Sequence, residues 1–355
     1  MISLYIHIPF CKQKCSYCSF YSVCNEYTLE YTDALLDCIE YYGGKTLRSI
    51  YVGGGTPSVV PPHDIQRIFD KIHKNYTVAK DAEITVEVNP ESVNGEFLQT
   101  LKRCGVNRIS MGVQSFNDKE LVAIGRLHDA KTAKDAIALC REHGFFNISC
   151  DLIFGLPLQT MDSLKESVDT LLSLDIPHIS CYNLQLEEGT PICKISHLVA
   201  DEQTQANMYY LVCDTLKNAG YTHYEISNFC KKGFRARHNS AYWDDSDYLG
   251  LGPAAHSRIG DMRYSFDADI KKFINKTDFT FDVGEKITDP LFEKIMLSLR
   301  TSDGLDLKYL KNSELCIKNI VKEGFAVLKD GRLILTDKGF YLSNSIIAEI
   351  TAREC

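Results

Sequence analysis

Apolar residues recur along this chain in two rhythms. Short runs rich in Val, Ile and aromatic residues fall at 4–7, 48–52, 83–88, 108–112, 147–153 and 178–183. Between them, at 28–42, 62–73, 130–142, 161–174 and 202–217, apolar positions recur with helical spacing. The first rhythm predicts strands and the second amphipathic helices. Strands alternating with helices of roughly 10–15 residues imply βαβ units and parallel pairing. Six such units are two short of a closed barrel. The expected fold is therefore α/β, an open partial (β/α)6 barrel over residues 1–230. Residues 231–288 read as a connecting segment, irregular as far as about residue 260.

The last stretch, 289–355, holds helical patterns at 291–300, 307–310 and 317–323, followed by FAVLKDGRLILTDKGFYLS. Asp330 and Gly331 between two apolar runs signal a tight hairpin. Helices followed by a hairpin predict a mostly helical, winged-helix-like domain. Such domains often bind DNA. With 39 Lys and Arg against 47 Asp and Glu, this chain carries a net charge of −8. It has no overall attraction for nucleic acid, so the unit is expected to be a lid or partner surface.

Composition is ordinary for a globular protein, with 45% hydrophobic and 24% charged residues. That excludes a disordered chain. No run approaches the ~20 apolar residues of a membrane span, and MISLYIHIPFCKQKC has no signal-peptide pattern. The chain is expected to be cytoplasmic. In a reducing compartment its 14 Cys argue for thiols or metal ligation rather than disulfides.

Those cysteines divide into one cluster and a scatter. Cys11, Cys15 and Cys18 form C-x3-C-x2-C. The others stand singly, mostly inside apolar runs, and are expected to be small buried hydrophobes. Soft thiolates select zinc, copper(I) or iron–sulfur clusters. A structural zinc site calls for a fourth ligand at matching spacing, but Phe20 follows at that distance and Cys24 lies further on. Three ligands fit a [4Fe-4S] cluster with one iron left for a non-protein ligand. A zinc site or unrelated thiols is the alternative.

Polar motifs gather where the predicted strands end, which is where barrels of this type carry their sites. Gly53, Gly54 and Gly55 in YVGGGTPS let a backbone approach a ligand closely. VEVNP ends the third strand with Glu87 and Asn89, and ISMGVQSF ends the fourth with Ser110, Gly112, Gln114 and Ser115. Arg126 follows in GRLHD. Asp151 lies in an otherwise apolar strand, a costly position unless paired or functional. Arg126 and Asp151 either pair with each other or bracket a ligand.

HIPFCKQKCSYCSF, with the aromatic Tyr17 just before its third Cys, resembles the radical S-adenosylmethionine (SAM) superfamily. The order GGGTP, EVNP, S-x-G-x-Q-S and D-L-I-x-G-L-P is similar to the coproporphyrinogen III dehydrogenase (HemN)-like branch over nearly the whole chain. That resemblance implies a [4Fe-4S] cluster on Cys11, Cys15 and Cys18, with S-adenosyl-L-methionine on its open iron. It implies SAM contacts from Tyr5, Gly54, Gly55, Thr56, Glu87, Gln114, Arg126 and Asp151, and from the later Gln185 and His256. Glu87 would meet the SAM ammonium, Arg126 its carboxylate and Asp151 its ribose hydroxyls.

Two departures separate this chain from the dehydrogenases. Their fourth cysteine is replaced by Phe20, and their longer arm before the first strand has no counterpart here. RHNSAYW at 237–243 instead matches H-N-x-x-Y-W, a signature of the HemW heme chaperones. This resemblance implies heme contacts from His238, Asn239, Tyr242 and Trp243. Neutral His238 would be an axial ligand, and Tyr242 and Trp243 would pack on the flat ring. Read alone, the motif favours His238 and Trp243 packing the seam between the two domains; the wider resemblance reverses that. The implied function is to bind heme and deliver it to acceptor heme proteins, without coproporphyrinogen oxidase activity. The alternative is an oxygen-independent coproporphyrinogen III oxidase of porphyrin biosynthesis. Implied partners are heme, heme-accepting proteins and an electron donor, with peripheral contact to a membrane-held acceptor and no nucleic acid.

Overall fold

The computed structural model describes residues 1–24 and 27–354. Six strands lie side by side in chain order, all parallel: β1 (Ile2–Ile8), β2 (Thr46–Gly54), β3 (Thr77–Val88), β4 (Arg108–Gln114), β5 (Ile148–Phe154) and β6 (His178–Asn183). The connections carry α1 (Leu29–Tyr41), α2 (Pro62–Asn75), α3 (Gly95–Arg103), α4 (Asp118–Ala123), α5 (Ala130–Glu142) and α6 (Met161–Ser173), and α7 (Glu202–Asn218) follows β6. This is the partial barrel that the periodicity predicts. Helices α3 and α4 lie where none was expected. They have nine and six residues, too few for a helical period to stand out. Asn94 and Asn117 start them by accepting backbone N–H bonds at 2.9 and 3.0 Å.

The sheet continues past both ends of the six-strand unit to twelve strands. β7 (Thr222–Glu225) and β8 (Asn228–Cys230) add antiparallel strands beyond β6. After α8 (Arg237–Ala241), β9 (Tyr248–Leu251) pairs parallel with the free edge of β1. β10 (His256–Ile259), β11 (Met262–Ser265), α9 (Ile270–Ile274) and β12 (Val283–Lys286) follow, the three strands extending that edge in antiparallel fashion. The stretch expected to be irregular therefore carries a seventh parallel strand. Each of these strands has only four residues, too short for alternation to show. Gly250 is required here, because a Cβ would stand 2.2 Å from the His256 carbonyl oxygen.

The remaining elements are α10 (Pro290–Ser298), β13 (Leu305–Asp306), α11 (Glu314–Lys322), β14 (Ala326–Lys329), β15 (Arg332–Leu335), α12 (Asp337–Tyr341) and α13 (Ser343–Glu354). They enclose an apolar cluster of their own, including Ile295, Leu299, Leu333 and Ile350. Strands β14 and β15 form the expected hairpin. Asp330 and Gly331 take φ of +50° and +73°, as its tight turn requires. No helix among the described residues is long and apolar enough to cross a membrane.

The two faces of the parallel sheet differ in chemistry. Leu4, Ile6, Ile50, Val52, Ile84, Val86, Ile109, Met111, Ile148 and Ile179 pack outward in one buried cluster with helix residues such as Leu35, Ile68, Leu98, Ile137 and Leu164. Each such side chain contributes about 1.5–3 kcal/mol. The alternate positions face inward and are polar: Tyr5, Tyr51, Glu87, Arg108, Ser149, Asp151 and His178. Parallel sheets with both faces covered usually read as apolar on both. Here the inner face is polar instead. The scattered cysteines mostly behave as expected: Cys38, Cys104, Cys140, Cys150, Cys181, Cys213, Cys230 and Cys316 are buried. Cys193, in a 3-10 helical segment at 191–198, is half-buried, and Cys24, in the loop after β1, is exposed. Cys355 lies outside the described residues.

Candidate functional site

The cluster loop leaves the end of β1 and is tied back at several points. Cys11 N donates to Val23 O at 3.1 Å and Val23 N to Pro9 O at 2.7 Å, closing the loop at its base. Ser16 N bonds Ile124 O, and Ile192 N bonds Ser16 O, each at 3.0 Å. Cys11, Cys15 and Cys18 are free and half-buried. Burial raises the thiol pKa of Cys11 and of Cys18; Cys15 raises both further, joined by Cys24 at Cys11 and by Cys11 at Cys18. Two donors face the sulfurs: Thr56 Oγ1 at 3.6 Å from Cys11 Sγ, and Arg126 Nη1 at 3.4 Å from Cys15 Sγ.

The glycine turn is shaped by contact with that loop. Gly55 N donates to Ile8 O at 2.7 Å, and Thr56 N to Phe10 O at 2.8 Å. A Cβ on Gly55 would lie 2.6 Å from Phe10 O and 2.8 Å from Ile8 O. Gly54 takes φ of +110° and turns its N–H onto Glu87 Oε2 at 2.9 Å. The other carboxylate oxygen accepts from Tyr51 OH at 2.6 Å. Burial raises the Glu87 pKa, against the pull of these two bonds.

Arg126 joins the strand ends. Its Nη2 donates to Asn89 Oδ1 at 2.8 Å and to Gly112 O at 2.7 Å, and Asn89 Nδ2 donates to Thr56 Oγ1 at 2.9 Å. Gly112 keeps this space open, since a Cβ there would meet the Gln114 and Asn89 side chains at 2.9 and 3.1 Å. Gln114 is buried, with φ of +69°. Asp151 lies level with Gly112 and Ser180 across the sheet. Burial raises its carboxyl to about 6, while a Ser180 hydrogen bond and the charges of Arg108 and Arg126 oppose the shift. Arg126 and Asp151 form no ion pair, so they flank the interior separately. On β1, the His7 Nε2–H donates to Tyr21 O at 2.9 Å, leaving Nδ1 to accept from Tyr5 OH at 2.9 Å. Burial keeps this imidazole neutral, with its pKa lowered to about 4.

The structure thus brings Tyr5, Gly54, Gly55, Thr56, Glu87, Gln114, Arg126 and Asp151 to the inner face or strand ends of the parallel sheet, with Thr56 and Arg126 against the cysteine sulfurs. It does not bring in Gln185 and His256 in the same way. Gln185 is exposed in the loop after β6, bonded only at 3.5 Å to Asn183 O. His256 is exposed at the start of β10.

The H-N-x-x-Y-W residues close the opposite end of the barrel. Glu83 caps α8, accepting from Arg237 N at 3.0 Å and His238 N at 2.9 Å. This cap turns His238 inward, where it is 1% exposed. Ser49 Oγ donates to Ser3 Oγ, so Ser49 accepts from the His238 Nδ1–H at 3.0 Å. Nε2 then accepts from Tyr242 OH at 2.9 Å. Neither ring nitrogen is left for iron in this arrangement. Tyr242 packs edge-on against Tyr248. Asn239 and Trp243 are half-buried, and Trp243 lines a cavity outside the barrel.

Sequence motifs did not single out two members of the interior. Tyr51 holds Glu87, and Arg108 is 2% exposed with a 3.4 Å contact to His178 Nδ1. Tyr51 sits within β2, and Arg108 opens β4 at the end away from the cysteine loop. The signal that finds them is the alternation SIYVGG, EITVEV and RISMGV, polar inward and apolar outward.

The radical SAM superfamily model matches residues 5–171. Over 372 residues the chain is 35% identical to the heme chaperone HemW of Bacillus subtilis (strain 168), covering 98% of each protein. It is 33% identical over 362 residues to the heme chaperone HemW of Lactococcus lactis subsp. lactis (strain IL1403), covering 97% of this chain and 96% of that protein. The fold is similar to that of the coproporphyrinogen III oxidase HemN from Escherichia coli, described as a radical SAM enzyme. That likeness has a TM-score of 0.83 at 24% identity and covers 98% of this chain and 89% of that one.

Proposed function

The chain belongs to the HemW family of the radical SAM superfamily, and from that premise we propose that it binds heme and hands it to acceptor heme proteins. The near full-length relation to proteins named heme chaperones carries this reading. The site's chemistry agrees with the cofactors it requires. Cys11, Cys15 and Cys18 would hold a [4Fe-4S] cluster: they are free, half-buried on one tied loop and faced by Arg126 and Thr56 donors. Soft thiolates of this kind suit iron–sulfur chemistry. The polar inner face would hold SAM, with Glu87 toward its ammonium and Asp151 toward its ribose hydroxyls. When bound, the cluster and SAM together supply one-electron chemistry.

This chain's residues bind and orient around those groups. Tyr51 and Gly54 N fix the Glu87 carboxylate in one orientation. Asn89 and the Gly112 carbonyl do the same for Arg126. Phe20, in place of a fourth cysteine, is 69% exposed and adds no ligand. We take residues 1–230 as the cofactor-binding barrel, 231–288 as the segment carrying the heme motif and 289–355 as an accessory domain, in a cytoplasmic protein.

The test is anaerobic. Reconstituted protein is titrated with hemin by absorbance and assayed for conversion of coproporphyrinogen III with SAM and reductant. Stoichiometric heme binding without conversion is expected. Turnover to protoporphyrinogen, or no heme binding, would overturn the reading.

A further inference from the structure

Cys213, His223 and Asp337 converge where α7, β7 and the start of α12 meet. A sulfur, an imidazole nitrogen and a carboxylate oxygen, one from each, lie within 4.8 Å of one another. Cys213 and His223 are buried and Asp337 is half-buried. The group stands on the outer side of the sheet. His223 pairs with Phe229 across β7 and β8, and Phe229 pairs with Ile179, which packs outward. It therefore lies apart from the polar interior, at the seam between the barrel and the C-terminal domain.

His223 is held as a metal ligand is held. Its ring stacks on Phe229 at 4.0 Å and meets Phe340 edge-on at 5.0 Å, which fixes its plane. Both ring nitrogens face acceptors: Nε2 stands 3.4 Å from Ile226 O, and Nδ1 stands 2.9 Å from Asp337 Oδ1. A neutral imidazole has a single N–H. With that proton on Nε2 and directed at Ile226 O, the Nδ1 lone pair points at the carboxylate. A cation there, either a proton or a metal ion, makes the contact attractive. Metal-bound histidines are oriented in this way, with the second nitrogen donating to a carbonyl.

Cys213 adds a soft donor. Burial pushes its thiol pKa up to about 12, so without a cation it keeps its proton. Asp337 forms the open side of the group. Its Oδ2 accepts from Lys217 Nζ, and its main-chain carbonyl accepts from Tyr209 OH at 3.0 Å. Lys217 is 45% exposed, so its ammonium can leave Asp337 for water without burying a charge.

We propose that these three side chains bind a single Zn²⁺ through Cys213 Sγ, His223 Nδ1 and an Asp337 carboxylate oxygen, with water as fourth ligand on the open side. The donor set selects the metal. Thiolate and imidazole do not suit Mg²⁺ or Ca²⁺, which take oxygen ligands, whereas S, N and O together suit zinc. Binding releases the Cys213 proton to solvent and displaces the Lys217 ammonium. The dication then faces one thiolate and one carboxylate, so the centre carries no net charge. Its ligands come from a barrel helix, from β7 at the sheet's edge and from the C-terminal domain. The ion clips that domain to the barrel.

The test uses the full-length chain with Cys11, Cys15 and Cys18 replaced by Ala, so that the loop thiols cannot compete. Co²⁺ is titrated as a coloured stand-in and followed by its thiolate-to-metal charge-transfer absorbance, and Zn²⁺ is then added. One Co²⁺ per chain is expected, with one proton released and the band bleached by Zn²⁺. Zinc is also expected to raise the melting temperature. Cys213→Ser is expected to lose the band. His223→Gln and Asp337→Asn are expected to bind about tenfold or more weaker. Lys217→Gln is expected to bind about two- to fivefold tighter, because the competing ammonium is gone.

Absence of the charge-transfer band at a large excess of Co²⁺, its persistence in folded Cys213→Ser, or melting unmoved by zinc would overturn the proposal. Should Cys213→Ser fail to fold, equal affinity in Asp337→Asn and its parent chain would overturn it as well.

Discussion

Arg126 Nη1 lies 3.4 Å from Cys15 Sγ, and its Nη2 is fixed at the same time by Asn89 and the Gly112 carbonyl. One guanidinium thus connects the cluster loop with the ends of β3 and β4. A cation held this way favours negative charge on the sulfurs. Arg126→Ala is expected to lower the iron and sulfide bound per chain after anaerobic reconstitution, with Arg126→Lys intermediate because lysine keeps the charge and loses the fork. Equal iron content in all three proteins would remove Arg126 from that role.

Gly55 is enclosed by backbone. A methyl group would meet Phe10 O and Ile8 O at 2.6 and 2.8 Å, and no side-chain rotation relieves a contact with a carbonyl. Gly55→Ala is expected to cost about 1–3 kcal/mol, as overpacking does. It should also displace the start of the cysteine loop. Melting of the metal-free protein and iron content after reconstitution should both fall. A variant that matches the wild type in both would show that the two segments yield more easily than the contacts imply.

Asp151 gives the fold a pH dependence. Burial raises its carboxyl to about 6, above the unfolded value of about 3.9. Between those values the folded chain retains a proton that the unfolded chain has released. This contribution to stability is therefore present at low pH and is lost as pH rises from about 4 to 6. Burial raises Glu87 in the same direction. Asp151→Asn, which cannot ionise, is expected to stabilise the ligand-free protein at pH 7 by on the order of 2 kcal/mol and to flatten its melting curve against pH. A variant that melts below the wild type at pH 7 would mean that the carboxylate is better solvated or paired than its burial implies.

The sequence made some of this architecture plain and hid the rest for physical reasons. The six strands and their long helices are visible because each repeats its period several times. Asp151 is visible because a charge inside an apolar strand is costly, and Glu87 because its motif falls where the third strand ends. Helix α4 and strands β9 to β12 are not, because six or four residues do not complete a recognisable pattern. Tyr51 and Arg108 show only when strands are read together, since their meaning lies in facing one interior. The direction of His238 depends on Glu83, 155 residues away in sequence, which caps α8 and sets which face turns inward. No local pattern encodes such a contact.

That direction yields the sharpest contrast between motif and geometry. As a heme ligand, His238 would need a free nitrogen at an accessible surface. As built, Nδ1 donates to Ser49, Nε2 accepts from Tyr242, and burial lowers the pKa to about 3, keeping the ring neutral. Releasing Nε2 would leave a buried Tyr242 hydroxyl unsatisfied, at about 1–3 kcal/mol. His238→Ala is therefore expected to lower stability by about that amount through the lost bonds and the cavity it leaves. At a temperature where the variant is folded, its hemin affinity should stay within about twofold of wild type, and the heme spectrum should keep the same axial-ligand signature. A large loss of affinity in a folded variant, together with a changed spectrum, would restore His238 as an iron ligand. It would also show that the motif opens to bind heme.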